Sequence, residues 1–158
     1  MLFLYGDNMD KNDFMKIAIE EAKIAQQDGD VPVGAVIVRN GKIISQAHNM
    51  KEKRNNSINH AEILAISEAC QKLNTWRLED CEIYITMEPC MMCTGAIIQA
   101  RIKKIIYGTA NYKFGYSEGV KQYINSKKSN HMPIIESGIK SDECRKLIQS
   151  FFKDKRNK

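Results

Sequence analysis

The apolar positions in the first part of the chain predict a helix followed by a hairpin of strands. Apolar residues first recur every three or four positions, which indicates an amphipathic helix that Gly29 can end. Residues 33–38 form a continuous apolar run, as expected of a strand covered on both faces. Asn40 and Gly41 are a strong tight-turn signal, so the chain should return as a second strand from Ile43. The apolar face of the helix consists of Phe14, Ile17, Ala18, Ala22 and Ala25.

The rest of the chain continues to alternate between helices and strands. One helix is expected to carry Ala61, and another to open at Pro89, because proline suits the first turn of a helix. Residues 82–87, 102–107 and 133–135 are predicted strands. The closing helical stripe consists of Cys144, Leu147, Ile148, Phe151 and Phe152. This order predicts an α/β fold with a mixed central sheet and helices on both of its faces.

Length and composition indicate one soluble domain. At 158 residues, with 43% hydrophobic and 27% charged, the chain can bury roughly two-thirds of its unfolded surface. No apolar run approaches the ~18 residues that a membrane span needs, and residues 1–5 are too short for a signal-peptide core. We expect a single cytoplasmic domain over residues 1–158, with a tail or extra strand at residues 1–9 and a basic, solvated tail at residues 153–158.

Net charge and cysteine content say little about the partner of the chain and its redox environment. A net charge of +5 is compatible with a polyanionic partner but does not require one. Five cysteines are an odd number, and without a secretion signal we expect reduced, mostly buried thiols. The composition therefore argues against a membrane protein and against a secreted disulfide scaffold.

A histidine, a carboxylate and two cysteines are the candidate metal-binding and catalytic residues. His60 and Glu62 are separated by one alanine, and the later sequence Glu-Pro-Cys-Met-Met-Cys at residues 88–93 supplies Cys90 and Cys93. One histidine and two cysteines form a three-ligand zinc set, which leaves a fourth tetrahedral position for water. The i, i+3 spacing of the cysteines places both sulfurs on one face of a helix. Glu62 stands outside the metal shell and can move protons, so the site suits hydrolysis better than scaffolding.

A closed structural zinc site is the alternative. Its fourth ligand would come from Cys70, Cys81, Cys144, His48 or His131. None of these stands at the paired spacing of metal ligands, and a closed site would leave Glu62 without a role. The open site is therefore the favoured interpretation.

The two motifs match the signature of zinc nucleobase deaminases. Further motifs recur in the order found in bacterial tRNA-specific adenosine deaminases, and the chain resembles this family from about Asp13 to Phe152. These motifs are Val-Pro-Val-Gly-Ala at residues 31–35, Asn49, Thr-Trp-Arg-Leu at residues 75–78, Arg101-Ile102, Asn130-His131 and Phe151-Phe152.

The resemblance implies a fold, a reaction and partners. The fold is the three-layer α/β/α cytidine-deaminase-like fold with a five-stranded mixed sheet. The reaction is deamination of adenosine to inosine at the wobble position of a tRNA anticodon, with an arginine tRNA as the implied substrate. The enzyme would be a homodimer with one Zn²⁺ per chain. Zinc would activate a water, and Glu62 would carry protons to the ring nitrogen and to the departing amine, with Glu88 in a supporting role.

The resemblance also suggests contacts with the substrate. Asn49 and the pair Asn130 and His131 are expected to touch the nucleotide. Phe151 and Phe152 fit the core stripe, and core packing is the default for both. One of them could still stack on a base that flanks the target, since splayed bases are commonly held on aromatic rings.

The remaining expected contacts involve charge. The family usually carries an aspartate where this chain has Asn111, and our hypothesis is that the neutral amide loosens the dependence on ribose 2′-hydroxyl groups. Lys113, Lys153 and Arg156 are the expected phosphate contacts. Residues 116–129 match the family poorly.

Two other functions compete with this interpretation. One is a deaminase of free guanine or cytosine, and the other is a zinc-stabilised RNA-binding module without turnover. Glu62 argues against the module, because such a protein needs no proton carrier. Phe151 and Phe152, followed by basic residues, argue against a small-molecule enzyme, whose closing segment would seal the pocket.

Overall fold

A computed structural model describes residues 8–111, 115 and 130–157. Most of the predicted N-terminal tail, Lys113 and all of residues 116–129 therefore lie outside the described residues. The helices are α1 Lys11–Gln27, α2 Ala61–Leu73, α3 Met91–Gln99 and α4 Ser141–Arg156. The strands are β1 Gly34–Arg39, β2 Lys42–His48, β3 Cys81–Met87, β4 Lys104–Thr109 and β5 Ile134–Ser137.

The five strands form one mixed sheet in the order β2-β1-β3-β4-β5. Strand β1 pairs antiparallel with both β2 and β3, whereas β3, β4 and β5 run parallel. The carboxyl ends of β3 and β4 therefore meet at the same edge of the sheet. This edge carries the candidate site, because residue 90 follows β3 directly and residue 111 follows β4.

Two apolar clusters cover the two faces of the sheet. Helix α1 packs against β1, β2 and β3, and α4 packs against β4 and β3. These two helices share one cluster with side chains such as Phe14, Tyr84 and Ile106. Helices α2 and α3 build the other cluster, which includes Ala65 and Ile97. The predicted three-layer α/β/α fold with a five-stranded mixed sheet is confirmed.

Individual residues explain where several of the helices and strands end or approach one another. Asn40 and Gly41 both have positive φ, 51° and 76°, as the tight turn between β1 and β2 requires. Gly29 also has a positive φ of 82°, just beyond the end of α1. Gly34 lets α1 approach β1, since a Cβ there would collide with the backbone of Ala18.

Two expectations about the end of the chain need correction. Strand β4 begins at Lys104 and not at Ile102, because the backbone N–H of Ile102 donates to Ile97 and closes α3. Helix α4 continues through Arg156, so the basic residues 153–156 form its last turn and not a disordered tail. Cations suit that position, because a helix carries partial negative charge at its C-terminus. Among the helices of the described residues, none is long and apolar enough to cross a membrane.

Candidate active site and metal centre

His60 and Cys90 each occupy the residue that caps the start of a helix. His60 precedes α2, and Cys90 precedes α3. Neither side chain makes a capping hydrogen bond to its own helix, so the imidazole and the thiol remain available to a metal. Cys93 lies within the first turn of α3 and is fully buried. Two positive helix ends thus converge on one point, which favours thiolate ligands.

The three predicted ligands come together in the folded chain. The Nδ1 atom of His60 lies 3.7 Å from Sγ of Cys90 and 3.5 Å from Sγ of Cys93. All three candidate ligand atoms lie within 4.8 Å of one another. A tetrahedral zinc with bonds of about 2.3 Å to sulfur and about 2.05 Å to nitrogen sets these nitrogen–sulfur separations at about 3.6 Å. The donor set and its spacing therefore fit zinc.

The metal cluster contains three protein ligands among the described residues. Cys70, Cys81 and Cys144 are free cysteines elsewhere in the fold. His48 bonds Glu21, and the Nε2–H of His131 donates to the carbonyl of Ile102 at 2.6 Å. None of the five residues considered for a closed zinc site joins the cluster, which supports the open arrangement.

The two thiols differ strongly in acidity. The Cys93 thiol donates a hydrogen bond to Cys90, and this bond, with a further contribution from His60, lowers the pKa of Cys90 to about 4 against the opposing effect of burial. The same bond and burial raise the pKa of Cys93 well above its usual range. The pKa of His60 is also raised, chiefly by its hydrogen bond with Cys90 and then by the charges of Glu62 and Cys90, whereas burial and the charge of Lys51 lower it. A metal that bound both sulfurs as thiolates would have to displace the Cys93 proton.

Glu62 lies beside this cluster but outside it. It occupies the first turn of α2 and is only 3% exposed. Burial raises the pKa of its carboxyl, although a hydrogen bond with Cys93 and the charge of His60 oppose the rise. A buried carboxyl with a raised pKa holds a proton more readily than an exposed one, which suits a general acid–base group.

Asn49 connects the end of β2 to the start of α2. Its Oδ1 accepts a hydrogen bond from the backbone N–H of Ala61 at 2.8 Å, and its Nδ2 donates to the carbonyl of Val31 at 3.1 Å. Asn49 also lines the cavity that leads to the cluster. Sequence reasoning proposed a substrate contact here and missed the anchoring of α2.

Glu88 supports the loop that follows β4. Its Oε1 accepts a hydrogen bond from the backbone N–H of Asn111 at 3.0 Å, and its own N–H donates to the carbonyl of Thr109 at 2.8 Å. A side chain at Gly115 would collide with the Glu88 carboxylate, so the loop passes close to it. Glu88 thereby holds Asn111 at the wall of the cavity, in agreement with its expected supporting role.

An open cavity of about 710 Å³ leads to the cluster. Its floor includes His60, Glu62 and Cys90. One wall is a stripe of α4, whose spacing of three or four residues turns these side chains to the same side. The stripe consists of Arg145, Ile148, Gln149, Phe152 and Lys155.

The two phenylalanines of α4 have different environments. Phe151 is 6% exposed and belongs to the core, and the Lys155 ammonium lies 4.9 Å from the centre of its ring. Phe152 is 46% exposed and lines the cavity. Core packing was the default expectation for both residues, and it is wrong for Phe152 because the helix turns that side chain towards the opening.

Several expected RNA contacts lie away from the cavity. Asn130 accepts a hydrogen bond from Arg101, and His131 bonds Ile102, so both sit by the amino end of β4. The catalytic cavity lies at the carboxyl end of that strand and this pair does not line it, so contact of Asn130 and His131 with the nucleotide stays a prediction. Lys153 and Arg156 are exposed but do not line the cavity.

The structure also reveals cavity residues that sequence reasoning missed. Lys51, Arg145 and Lys155 border the cavity, and Asp30 lies beside them. The two cations of α4 share the helical stripe of Phe152, so periodicity alone could have found them. Lys51 and Asp30 belong to loops, which carry no periodic signal.

Comparison with known proteins agrees with this geometry. The family model described as MafB19-like deaminase matches residues 9–156. The tRNA-specific adenosine deaminase of Bacillus subtilis is 44% identical over 145 residues, which cover 92% of this chain and 90% of the relative. The chain belongs to the tRNA-specific adenosine deaminase family.

Solved structures separate this family from others with the same fold. A structure from work on A-to-I editing by tRNA:A34 deaminases at the wobble position matches with a TM-score of 0.81 at 36% identity, and it covers 85% of this chain and 97% of that one. A guanine deaminase from Nitrosomonas europaea matches with a TM-score of 0.75 at 22% identity, covering 91% and 85%. The second likeness shows the fold alone. The tRNA-specific adenosine deaminase family is thus the one that both sequence and structure support.

Proposed function

We propose that this enzyme deaminates adenosine to inosine hydrolytically at the wobble position of a tRNA anticodon, with one Zn²⁺ per chain held by His60, Cys90 and Cys93. The observation that carries the proposal is the placement of Glu62. It is a buried carboxyl beside a three-ligand nitrogen–sulfur centre, at the floor of a cavity wide enough for a base. A purely structural zinc site has no use for such a group.

Zinc in this centre would supply a Lewis acid that makes a bound water more acidic. Glu62 accepts the proton of the attacking water and delivers it to N1 of adenine, while the oxygen bonds to C6 and an electron pair moves to N1. Glu62 then takes the proton of the new C6 hydroxyl and transfers it to the exocyclic amine. The C6–N bond breaks, ammonia leaves, and inosine remains.

The cavity walls suit a nucleotide that is turned out of an RNA loop. Asn49 and Asn111 border the space in which the base must lie. Phe152 offers an exposed ring at the opening, where a base flanking the target can stack. Phe151 supports this arrangement from the core. An anticodon loop already presents unpaired bases, so turning one of them outwards costs less than it would in a duplex.

The protein surface beyond the cavity opening, which is proposed to contact RNA, is also basic. Lys153 and Arg156, in the last turn of α4, are proposed to contact phosphates beyond the cavity opening. We propose an arginine tRNA as the substrate and the cytoplasm, where tRNA is used, as the location. Asn130 and His131 are proposed to reach RNA only across a dimer. Fractionation of cells and sequencing of inosine sites in their tRNA test the location and the substrate set.

The homodimer is a proposal supported by one exposed apolar side chain. Met91, at the start of α3, is 66% exposed, which is unusual for methionine beside a catalytic centre. A symmetric contact between two copies would cover it. Light scattering should give twice the 18.1 kDa mass of the chain, and a mass near 18.1 kDa at micromolar concentration would contradict the dimer.

Asn111 is proposed to decide how strictly the enzyme requires ribose over deoxyribose. Its neutral amide removes a negative charge from the wall near which the sugar-phosphate backbone must run. We therefore expect a DNA hairpin to be deaminated measurably, although more slowly than RNA of identical sequence. Asn111→Asp should increase the ratio of RNA turnover to DNA turnover. An unchanged ratio would contradict this role of Asn111.

A pair of hairpins tests the proposed function. One carries adenosine at the wobble position of an arginine anticodon loop, and the other carries the same adenosine paired in the stem. Digestion to nucleosides after reaction should yield inosine from the first hairpin only. Equal yields would contradict recognition of the loop, and no inosine from either would contradict the function.

A further inference from the structure

Among the described residues, three exposed cations border the catalytic cavity, and two of them, Lys51 and Arg145, lie on different elements of the fold, whereas Lys155 shares α4 with Arg145. Lys51 lies in the loop after β2, which is the strand at one end of the sheet. Arg145 lies on α4, which packs against β4 and β3 towards the other end. The two residues therefore reach the cavity from elements that lie towards different ends of the sheet.

The loop that carries Lys51 is held by a buried carboxylate. Asp30 is 2% exposed, and its two oxygens accept hydrogen bonds from the backbone N–H groups of Glu52 at 3.0 Å and Lys53 at 3.2 Å. Lys51 lines the same cavity as His60. Glu52 also borders the cavity, but as an exposed side chain that can turn to solvent.

Arg145 is available for a stronger partner than its present one. It pairs with Asp142 at 2.7 Å, but both side chains are largely exposed, and pairs of this kind contribute little. A guanidinium offers a planar fork of donors that binds phosphate through two hydrogen bonds. A phosphate diester at the opening can therefore replace Asp142.

We propose that Lys51 and Arg145 form a phosphate clamp, which holds the RNA backbone on the two sides of the extruded adenosine, and that Asp30 positions Lys51. The inference rests on the tRNA substrate proposed above. A nucleotide within a strand has a phosphate on each side, whereas a free base has none. The clamp thus supplies orientation that only a polynucleotide can use.

The salt dependence of hairpin binding tests the clamp. Removal of one cation that binds a phosphate of a single-stranded segment should reduce the slope of log affinity against log salt by about 0.7. Lys51→Ala and Arg145→Ala should each show this reduction and raise KM about tenfold, the scale of one hydrogen bond to a charged group, with little change in kcat. Lys51→Arg should restore the slope.

Matched controls come from the same elements. Arg54→Ala removes an exposed cation from the Lys51 loop, and Lys146→Ala removes one beside Arg145 on α4. Neither residue lines the cavity, so both variants should keep the wild-type slope to within about 0.35, half the effect expected for one phosphate.

A double-mutant cycle tests the positioning role of Asp30. Asp30→Asn should lower the slope as Lys51→Ala does, and it should cause no further reduction once Lys51 is replaced. An additive effect of the two substitutions would contradict the positioning role.

The outcomes separate the clamp from the function on which it rests. If the wild-type enzyme forms inosine but the clamp variants bind and turn over like the controls, the clamp is wrong and the function stands. If the wild-type enzyme forms no inosine in the hairpin, the proposed function fails. Binding slopes need no turnover, so they decide the clamp in either case.

Discussion

The side-chain oxygen of Asn49 accepts a hydrogen bond from the backbone N–H of Ala61 at 2.8 Å. Ala61 is the first residue of α2, and its neighbours are the proposed metal ligand His60 and the proposed proton carrier Glu62. His60 cannot cap α2 while its ring is directed to the cysteines, and Asn49 instead satisfies one of the unpaired N–H groups at the helix start. One amide thus fixes the place of both functional groups.

Loss of this amide should weaken both the fold and the metal centre. Asn49→Ala leaves the buried N–H of Ala61 unpaired, so the free energy of unfolding should fall by about 1–3 kcal/mol, and zinc should be retained less well. Denaturant unfolding and metal analysis measure the two effects. Asn130→Ala, which removes an exposed amide, should change the free energy of unfolding by less than about 0.5 kcal/mol. Unchanged stability in Asn49→Ala with only a higher KM would mean that Asn49 is a substrate contact alone.

Replacement of Glu62 should separate proton transfer from metal binding. Glu62→Ala should keep one zinc per chain and lose ~100- to 10,000-fold in turnover, with the upper end favoured because Glu62 acts in more than one step. Melting should show no loss of stability, since the substitution removes a buried carboxyl that desolvation disfavours. Loss of zinc from this variant would identify Glu62 as a ligand and contradict the mechanism.

The metal itself should be removable by acid and by chelators. Both cysteines must bind as thiolates, so protons compete with zinc and the affinity should fall as the pH is lowered. Cys90→Ser should lose most of its zinc and its activity, whereas Cys70→Ser, outside the cluster, should keep both. Metal content measured during dialysis from about pH 8 to about pH 5 checks this. Full activity after complete removal of zinc would contradict a metal-dependent reaction.

The adjacent phenylalanines should respond in opposite ways. Phe151→Ala empties a core position, so the free energy of unfolding should fall by about 3 kcal/mol. Phe152→Ala should leave stability within about 1 kcal/mol and reduce the turnover of an anticodon hairpin by tenfold or more, since base stacking on an aromatic ring contributes about 1–3 kcal/mol. Melting and hairpin kinetics on the two variants compare these effects. Equal turnover by Phe152→Ala and the wild-type enzyme would exclude stacking.

The sequence predicts those parts of the molecule that depend on local signals. The turn at Asn40 and Gly41 follows from their tolerance of positive φ. The helix predicted at Pro89 is present, but it begins at Met91, so Pro89 lies before the N-cap Cys90 and not in the first turn. The sequence also predicts that His60, Cys90 and Cys93 come together, because zinc chemistry demands particular residue types at particular spacings.

Other parts depend on tertiary packing, which the sequence pattern does not encode. The rotation of α4 decides that Phe151 is buried and Phe152 is exposed, and that rotation is set by contacts with β3 and β4. Lys51 lies in a loop whose backbone N–H groups donate to Asp30, a residue distant in sequence. Asn130 lies away from the cavity because Arg101, at the end of α3, bonds it there.

The most direct test compares two classes of substrate under identical conditions. The enzyme is given an arginine anticodon hairpin with adenosine at the wobble position and, separately, free guanine, cytosine and adenosine. We expect inosine in the hairpin and little change in the free compounds, because only the polynucleotide can use Phe152 and the cations at the cavity opening. Efficient deamination of free guanine with an unchanged hairpin would contradict the account and assign the enzyme to nucleobase salvage.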